Sequence, residues 1–208
     1  MERHIITISG GGFSEVENSG VDTYLLNIKR QERPLNIAFI ATASNDAQGY
    51  IQKFYNAFAN EHPTHITIQD FKRPDIQSYV NSLDLIYVGG GNTSYLLKTW
   101  RETGFDRVLK QAYEHGVIFA GISAGAMCWF EHCYTQIDGE MQSVEGLGIL
   151  SGSYLPHANE ETIVQFEEWG LKHNISPLYA LKDEETIHFV NERYTLKLVE
   201  RMNNRDTV

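Results

Sequence analysis

The sequence predicts an α/β fold, a three-layer sandwich around a mostly parallel central sheet. Short apolar runs rich in β-branched residues recur along the first part of the chain, and near-continuous apolarity is typical of strands buried on both faces. Segments with the apolar spacing of amphipathic helices separate these runs. Strand–helix alternation of this kind predicts parallel strands joined by right-handed crossovers. We expect the 208 residues to form one domain, 1–208.

The predicted elements follow one another without an obvious linker. The strands are expected at 4–9, 35–43, 65–69, 83–91 and 116–123. The helices between them are expected at 22–30, 46–61 and 92–116. A further helix is expected to start directly after Ser123 and to include His132. After it we expect an irregular or extended stretch at 138–157, a helix at 161–174, and strands over 179–200 with a turn at 191–193.

Composition excludes several classes of partner. The formal net charge of −10 argues against nucleic acid and against an anionic membrane surface. The sequence contains no apolar window long enough for a membrane span and no secretory signal at its start, which favours a cytoplasmic protein. Cys128 and Cys133 are then expected to be free thiols. A metal site built from these two and His132 lacks the paired spacing of a zinc site, so we expect no metal.

Three glycine-bearing loops follow predicted strands, at 9–14, 88–94 and 121–126. Ligands collect beyond the carboxyl ends of parallel strands, so these loops are expected to border one site. The first loop does not fit a dinucleotide fingerprint, because its third glycine position falls on Glu15, an anion. We therefore interpret it as a tight turn beside the cleft and expect no nucleotide cofactor.

The loop at 121–126, with sequence GISAGA, resembles a nucleophile elbow. Gly121 and Gly125 flank Ser123 at the two positions where a sharp strand-to-helix turn is crowded. Such a turn presents the serine hydroxyl to the cleft, while the amide of Ala124 points at the carbonyl oxygen under attack. Ser123 is therefore the candidate nucleophile.

The loop at 88–94 is the candidate second half of an oxyanion site. Consecutive glycines leave backbone N–H groups unshielded by side chains. We expect Gly90 or Gly91 to donate to a developing oxyanion, and Asn92 and Thr93 to contact substrate. Asn92 and Thr93 also have the residue types of a helix cap.

A serine nucleophile needs a base, and His157 is the candidate. It lies in the non-repetitive segment YLPHANE, behind Pro156 and directly before a predicted helix. The remaining histidines are placed near the ends or inside of predicted elements; they are His4, His62, His65, His115, His132, His173 and His188. His157 is thus the histidine that a loop can present to Ser123.

A carboxylate is expected to orient the imidazole. Glu184, in the acidic turn LKDEET, is preferred, with Asp183 and Glu185 as adjacent competitors. Asp138, which lies between Ser123 and His157 in the sequence, is the other candidate.

Four segments together resemble a known family of serine peptidases, the one that includes aspartyl dipeptidase (peptidase E) and cyanophycinase. They are GGGNTSYLL, GISAGA, the Pro-His of LPHANE, and ALKDEET, within a resemblance that runs from residue 4 to 198. The resemblance implies a flavodoxin-like fold of the class I glutamine amidotransferase-like type. It also implies Ser123 as nucleophile, His157 as base, and an oxyanion hole near Gly90 and Ala124. Either a late glutamate or an aspartate soon after the serine completes the relay in such proteins, which leaves Glu184 and Asp138 both open.

The expected activity is serine-type hydrolysis of short peptides, as in a dipeptidase. Serine instead of cysteine at the elbow argues against glutamine hydrolysis. Relatives that cut after aspartate are expected to offer a basic side chain near the histidine, yet the segment 157–170 holds four glutamates and no Lys or Arg. A neutral or basic acyl-side residue is therefore at least as plausible, unless Lys98 or Arg101 supplies the charge.

Two alternatives remain open at this stage. One is an amidase or esterase that uses the same elbow, and the other is an inert ligand-binding protein of the same fold. The expected partner is a small peptide. A homodimer is conceivable, with Trp100 and Trp169 as candidates for its face.

Overall fold

Two β-sheets organise the chain in a computed structural model that describes residues 1–15, 19–29 and 31–199. The strands are β1 (His4–Ile8), β2 (Asn36–Ile40), β3 (His62–Ile66), β4 (Leu85–Val88), β5 (Ile118–Ile122), β6 (Phe130–Ile137), β7 (Glu140–Glu145), β8 (Leu150–Leu155), β9 (Leu178–Ala180), β10 (Glu185–Val190) and β11 (Arg193–Val199). The larger sheet has seven strands in the order β11-β10-β1-β5-β4-β2-β3, and the smaller has the order β7-β6-β8-β9.

The helices lie between these strands. They are α1 (Gly20–Asn27), α2 (Gln48–Ala57), α3 (Ile76–Asn81), α4 (Thr93–Thr103), α5 (Phe105–Glu114), α6 (Ala124–Met127) and α7 (Glu160–His173), with 3-10 turns at Gly12–Ser14, Thr42–Ser44 and Ile68–Lys72. In the described part of the chain, every helix is too short or too polar to cross a membrane.

The larger sheet confirms the predicted fold class. The five strands that come first in the chain, β1 to β5, pair in parallel. The two late strands join as an antiparallel extension, with β10 on β1 and β11 on β10. The sheet is therefore mixed but mostly parallel.

Apolar side chains cover both faces of this sheet, as the continuous runs predict. Neighbouring residues of β1 enter different cores, Ile5 on one face and Ile6 on the other. Helices α1 and α2 cover the face of Ile6, while α3, α4, α5 and the smaller sheet cover the face of Ile5. Trp100 is fully buried and Trp169 is 9% exposed, so both tryptophans proposed for a dimer face lie in the interior.

Two element predictions were clearly wrong in their bounds, and one helix was missed. The long helix expected over 92–116 is divided at Gly104, whose φ of 76° is in the left-handed region, and α5 starts anew at the next residue. The strand expected at 65–69 lies earlier, as β3, because Thr67 and Asp70 form a capping box that starts a 3-10 turn. Helix α3 was not predicted.

The segment after Ser123 differs most from expectation. Helix α6 ends at Met127, and His132, expected on that helix, lies in β6. Strand β6 pairs with β7 and β8, and the stretch expected to be irregular or extended supplies those two strands. Pairing with distant residues thus overrides the local helical tendency.

Beneath α1, two histidines form a buried hydrogen-bond chain. His4 Nδ1 lies 3.0 Å from His188 Nε2, and His188 Nδ1 lies 2.6 Å from the Tyr24 hydroxyl. Burial, and then the neighbouring His4, lower the pKa of His188 to about 4. The pKa of His4 is lowered as well, chiefly by burial. The folded chain therefore favours neutral rings here.

The buried hydrogen-bond chain of His4, His188 and Tyr24 predicts that the protein loses stability in mild acid. The pKa of His188 is 6.5 in the unfolded state and about 4 in the folded state. At pH values between these two, the unfolded state binds a proton that the folded state does not bind. The free energy of unfolding should fall by up to about 3 kcal/mol across this window. Denaturant titrations between pH 7 and pH 4 measure it. His188→Gln should remove most of this pH dependence of the unfolding free energy, and His62→Gln, at an exposed position of β3, should retain it. An equal pH dependence in the unmodified protein and both variants would contradict the assignment.

Candidate active site

Ser123 lies at the carboxyl end of β5, between that strand and α6. Its φ of 53° and ψ of −115° are a strained conformation for a residue with a side chain. The backbone N–H of Ser123 donates to Ile8 O at 2.9 Å, which ties the turn to the end of β1. The residue is half-buried, so its hydroxyl remains accessible.

Close packing explains the glycines on either side of Ser123. A Cβ at Gly121 would overlap the carbonyl oxygen of Gly125, and a Cβ at Gly125 would overlap that of Val88. Only glycine fits at either position without moving backbone. The sequence pattern around Ser123 therefore forms the strand–turn–helix context that was expected of it.

His157 reaches Ser123 from the loop between β8 and α7. Its Nε2 lies 2.9 Å from Ser123 Oγ, a good hydrogen-bond distance. The backbone of His157 has φ 54°, so the loop holds the ring in place at some conformational cost. The structure thus brings together the two residues that the sequence singled out 34 positions apart.

The carboxylate in contact with His157 is Asp183, the adjacent competitor in the acidic turn, and not the preferred Glu184 or the alternative Asp138. His157 Nδ1 hydrogen-bonds to Asp183 Oδ1. Glu184 is the next residue of the same turn, and Asp138 is an exposed residue of the β6–β7 hairpin turn. Asp138 has φ 52° and precedes a glycine, a pairing typical of a hairpin turn. No hydrogen bond joins His157 to either within the described residues.

The first glycine loop decides which acid meets the imidazole. Gly10 N–H donates to Asp183 O at 3.0 Å. A Cβ at Gly10 would lie 2.9 Å from Asp183 Oδ1, so the absence of a side chain leaves room for the carboxylate. Consecutive side chains in a turn point in different directions. The contact with Gly10 therefore places Asp183 against the imidazole, where the sequence analysis expected Glu184.

The loop at 88–94 lies against the serine, as expected. A Cβ at Gly90 would lie 3.2 Å from Ser123 Cβ. The N–H of Gly90 donates to the Tyr50 hydroxyl at 3.4 Å, which is long for a hydrogen bond. The N–H groups of Gly91 and Ala124 make no hydrogen bond to any residue that the structure describes, and Ala124 opens α6. These amides are the candidate oxyanion donors.

Asn92 and Thr93 have structural partners in addition to any contact with substrate. Asn92 caps α4, because its side-chain oxygen accepts from Tyr95 N–H at 2.8 Å, and the residue is exposed. Thr93 is buried, with 3% of its surface exposed, and its hydroxyl donates to Met127 Sδ at 3.7 Å. The structure therefore places Asn92 at the surface of the loop and Thr93 beneath it.

The two cysteines are remote from this chemistry. Both are free and buried. Burial raises the pKa of Cys133 to about 12 and raises that of Cys128 as well, so both remain protonated thiols. Among the described residues, no group of three His, Cys, Asp or Glu side chains is placed to hold a metal ion.

Comparison with known proteins gives consistent matches. The model of peptidase family S51 matches residues 5–197. The uncharacterized peptidase YgaJ of Bacillus subtilis (strain 168) is 43% identical over 198 residues, which cover 92% of this chain and 85% of YgaJ. The uncharacterized peptidase PM1590 of Pasteurella multocida (strain Pm70) is 33% identical over 97 residues, 44% of this chain and 46% of PM1590.

Two solved structures share the fold. A crystal structure of a candidate peptidase E protein from Listeria monocytogenes EGD-e has a TM-score of 0.71 at 20% identity, covering 96% of this chain and 99% of that one. A peptidase from an acI-B1 Actinobacterium has a TM-score of 0.68 at 19% identity, covering 91% of this chain and 84% of that one. At these identities the likeness concerns the fold alone.

Proposed function

Because this chain belongs to peptidase family S51, we propose that it hydrolyses short peptides through a triad of Ser123, His157 and Asp183. Family membership makes the protein a serine-type peptidase. The observation that carries the finer proposal is the continuous hydrogen-bond chain from Asp183 through the His157 ring to Ser123 Oγ.

In the first half of the reaction, Ser123 Oγ attacks the peptide carbonyl carbon while His157 Nε2 accepts the hydroxyl proton. Asp183 accepts a hydrogen bond from the Nδ1–H of His157, which selects the reactive tautomer and stabilises the imidazolium that forms. The amide of Ala124, with that of Gly90 or Gly91, donates to the oxygen as it becomes an alkoxide.

The second half regenerates the enzyme. His157 returns its proton to the leaving amine as the C–N bond breaks, which leaves an ester between the acyl group and Ser123. A water molecule then attacks this ester, with His157 accepting a proton from the water and passing it to Ser123 Oγ. The products are a free carboxylate and a free amine.

The surroundings of Ser123 favour small substrates. The loop at Gly90 approaches the serine from one side, and the turn of Asp183 together with Gly10 borders the histidine. A nucleophile bordered by loops on two sides accommodates an extended segment of a few residues more readily than the surface of a folded protein.

Charge placement favours a neutral or basic residue on the acyl side of the scissile bond. The two cations considered for binding an aspartate are engaged elsewhere. Arg101 donates to Glu145 O at 2.6 Å and to Gly146 O at 2.9 Å. Lys98 lies 3.9 Å from Glu102 in an exposed pair. Neither has a hydrogen bond or ion pair with the Ser123–His157–Asp183 chain.

Acidic side chains border the histidine instead. Glu160 and Glu161 form the first turn of α7, directly after the His157 loop. Lys182 directly precedes Asp183, but three acidic residues follow it in this turn, Asp183, Glu184 and Glu185. A substrate carboxylate would meet net repulsion here.

A substrate panel tests this proposal. We expect release of the first amino acid from Met- and Arg-led dipeptides, with kcat/KM at least about tenfold above that for Asp-led dipeptides, a difference of about 1.4 kcal/mol. Strong preference for the Asp-led set would overturn the acyl-side assignment. The matched amino-acid amides and ethyl esters complete the panel. Cleavage confined to them would favour the amidase or esterase alternative, and binding without cleavage would favour the ligand-binding alternative.

A further inference from the structure

We propose that Ser9, directly after β1, is a positioning residue that keeps the base, His157, and its carboxylate, Asp183, within hydrogen-bond distance of each other. This inference rests on the proposed triad. Ser9 belongs to the first glycine loop, which the sequence analysis interpreted only as a tight turn, and its hydroxyl hydrogen-bonds to backbone groups of the His157 and Asp183 segments, not to Ser123 Oγ or the His157 ring.

The Ser9 hydroxyl joins the two segments that carry His157 and Asp183. Its oxygen accepts a hydrogen bond from the backbone N–H of His157 at 2.8 Å. Its proton is donated to the backbone carbonyl of Leu181 at 2.9 Å, two residues before Asp183. The Ser9 side chain is fully buried, so solvent does not compete for either bond.

Backbone bonds around Ser9 extend the same connection. Ser9 N–H donates to Glu185 O at 3.1 Å, and Gly10 N–H donates to Asp183 O at 3.0 Å. Ala158 N–H also donates to Leu181 O, at 2.8 Å. The end of β1 therefore braces the acidic turn directly, while the Ser9 side chain is what binds the backbone of His157 itself.

His157 needs such a brace because its backbone is strained. Its φ of 54° is unfavourable for a residue with a Cβ and persists only where the surroundings enforce it. Without the hydroxyl, the His157 N–H loses its acceptor and the loop can relax toward ordinary backbone angles. Misplacing a reacting group by about 1 Å can cost about 100-fold in rate.

The chain offers a matched control in Ser153. This serine is also fully buried, and it lies in β8, four residues before His157. Its hydroxyl donates to His132 O at 2.7 Å, and its N–H donates to Pro177 O at 3.0 Å. Ser153→Ala therefore removes a comparable buried hydrogen bond without touching the His157 or Asp183 backbone.

The experiment compares Ser9→Ala, Ser153→Ala and Ser123→Ala with the unmodified protein. Three quantities are measured: kcat and KM for a cleaved dipeptide, the rate of fluorophosphonate labelling, and the downfield proton resonance of the His157–Asp183 hydrogen bond. Ser9→Ala should lower kcat and the labelling rate by about 10- to 100-fold with KM nearly unchanged, and should shift or broaden the resonance. Ser153→Ala should stay within about twofold on all three, whatever its effect on thermal stability.

The outcomes separate this inference from the proposed function. If Ser9→Ala behaves like Ser153→Ala while Ser123→Ala is inactive, the triad stands and the role of Ser9 is refuted. If Ser123→Ala remains active and labelled, the proposed function itself fails. If Ser9→Ala does not fold, Ser9→Cys fills the same space with a poor acceptor, and the same loss of kcat is expected of it; full activity there would refute the proposal.

Discussion

Replacing Ser123 by alanine is expected to lower kcat/KM for dipeptide hydrolysis by about 10⁴- to 10⁶-fold. The hydroxyl lies 2.9 Å from His157 Nε2, and alanine at this position removes the atom that would form the acyl–enzyme bond. Activity that remains would come from the oxyanion donors and substrate binding alone. Steady-state hydrolysis of a dipeptide measures the loss, and intact-protein mass after fluorophosphonate treatment measures whether the covalent adduct still forms.

His157→Ala should reduce labelling to a similar extent, because the unassisted hydroxyl is a weak nucleophile. Ser82→Ala is the matched control, since the Ser82 hydroxyl is exposed and donates to Tyr79 O at 2.7 Å, outside the site. It should label and hydrolyse like the unmodified protein. An adduct that persists on another residue after Ser123→Ala would show that the elbow serine is not the nucleophile.

Replacing Asp183 by asparagine is expected to lower kcat by about 10² to 10⁴-fold, with a small change in KM. The carboxylate accepts a hydrogen bond from the Nδ1–H of His157. An amide in its place can donate to Nδ1 instead, which would leave the proton on Nε2 and remove the base from Ser123. The kcat of a cleaved dipeptide, measured across pH, reports the effect.

Two control variants distinguish Asp183 from the acids that the sequence favoured. Glu184→Gln and Asp138→Asn carry the same change of charge, one residue away in the turn and at the exposed tip of the β6–β7 hairpin. Each should retain kcat within a few-fold, because neither side chain is hydrogen-bonded to His157. A large loss in Glu184→Gln with near-normal Asp183→Asn would restore the sequence-based choice of Glu184.

Local constraints made the fold class and two residues of the candidate site recognisable from the sequence. Strands buried on both faces must be apolar throughout, so β1, β2, β4 and β5 were recognisable without knowledge of their neighbours. The elbow was equally legible, because the crowding at Gly121 and Gly125 is a property of that short turn. His157 was identified by its loop and its neighbours in the chain, and the structure places it next to Ser123.

Other features depend on residues far apart in the chain. Strand β6 replaces the continuation of α6 because β7 and β8 pair with it. The brace through Ser9 links positions 148 residues apart, and nothing in the local pattern of the glycine loop indicates it. The buried pair of His4 and His188 likewise forms only when β1 and β10 align.

By itself, then, the sequence determined a parallel α/β scaffold, a serine on a strained turn and a histidine in a loop, since each reflects sterics or solvation within a few neighbouring residues. Only the tertiary structure decided which carboxylate meets the imidazole. Asp183 and Glu184 differ by one position, and the direction of each side chain is set by the contact of that turn with Gly10, at the opposite end of the chain.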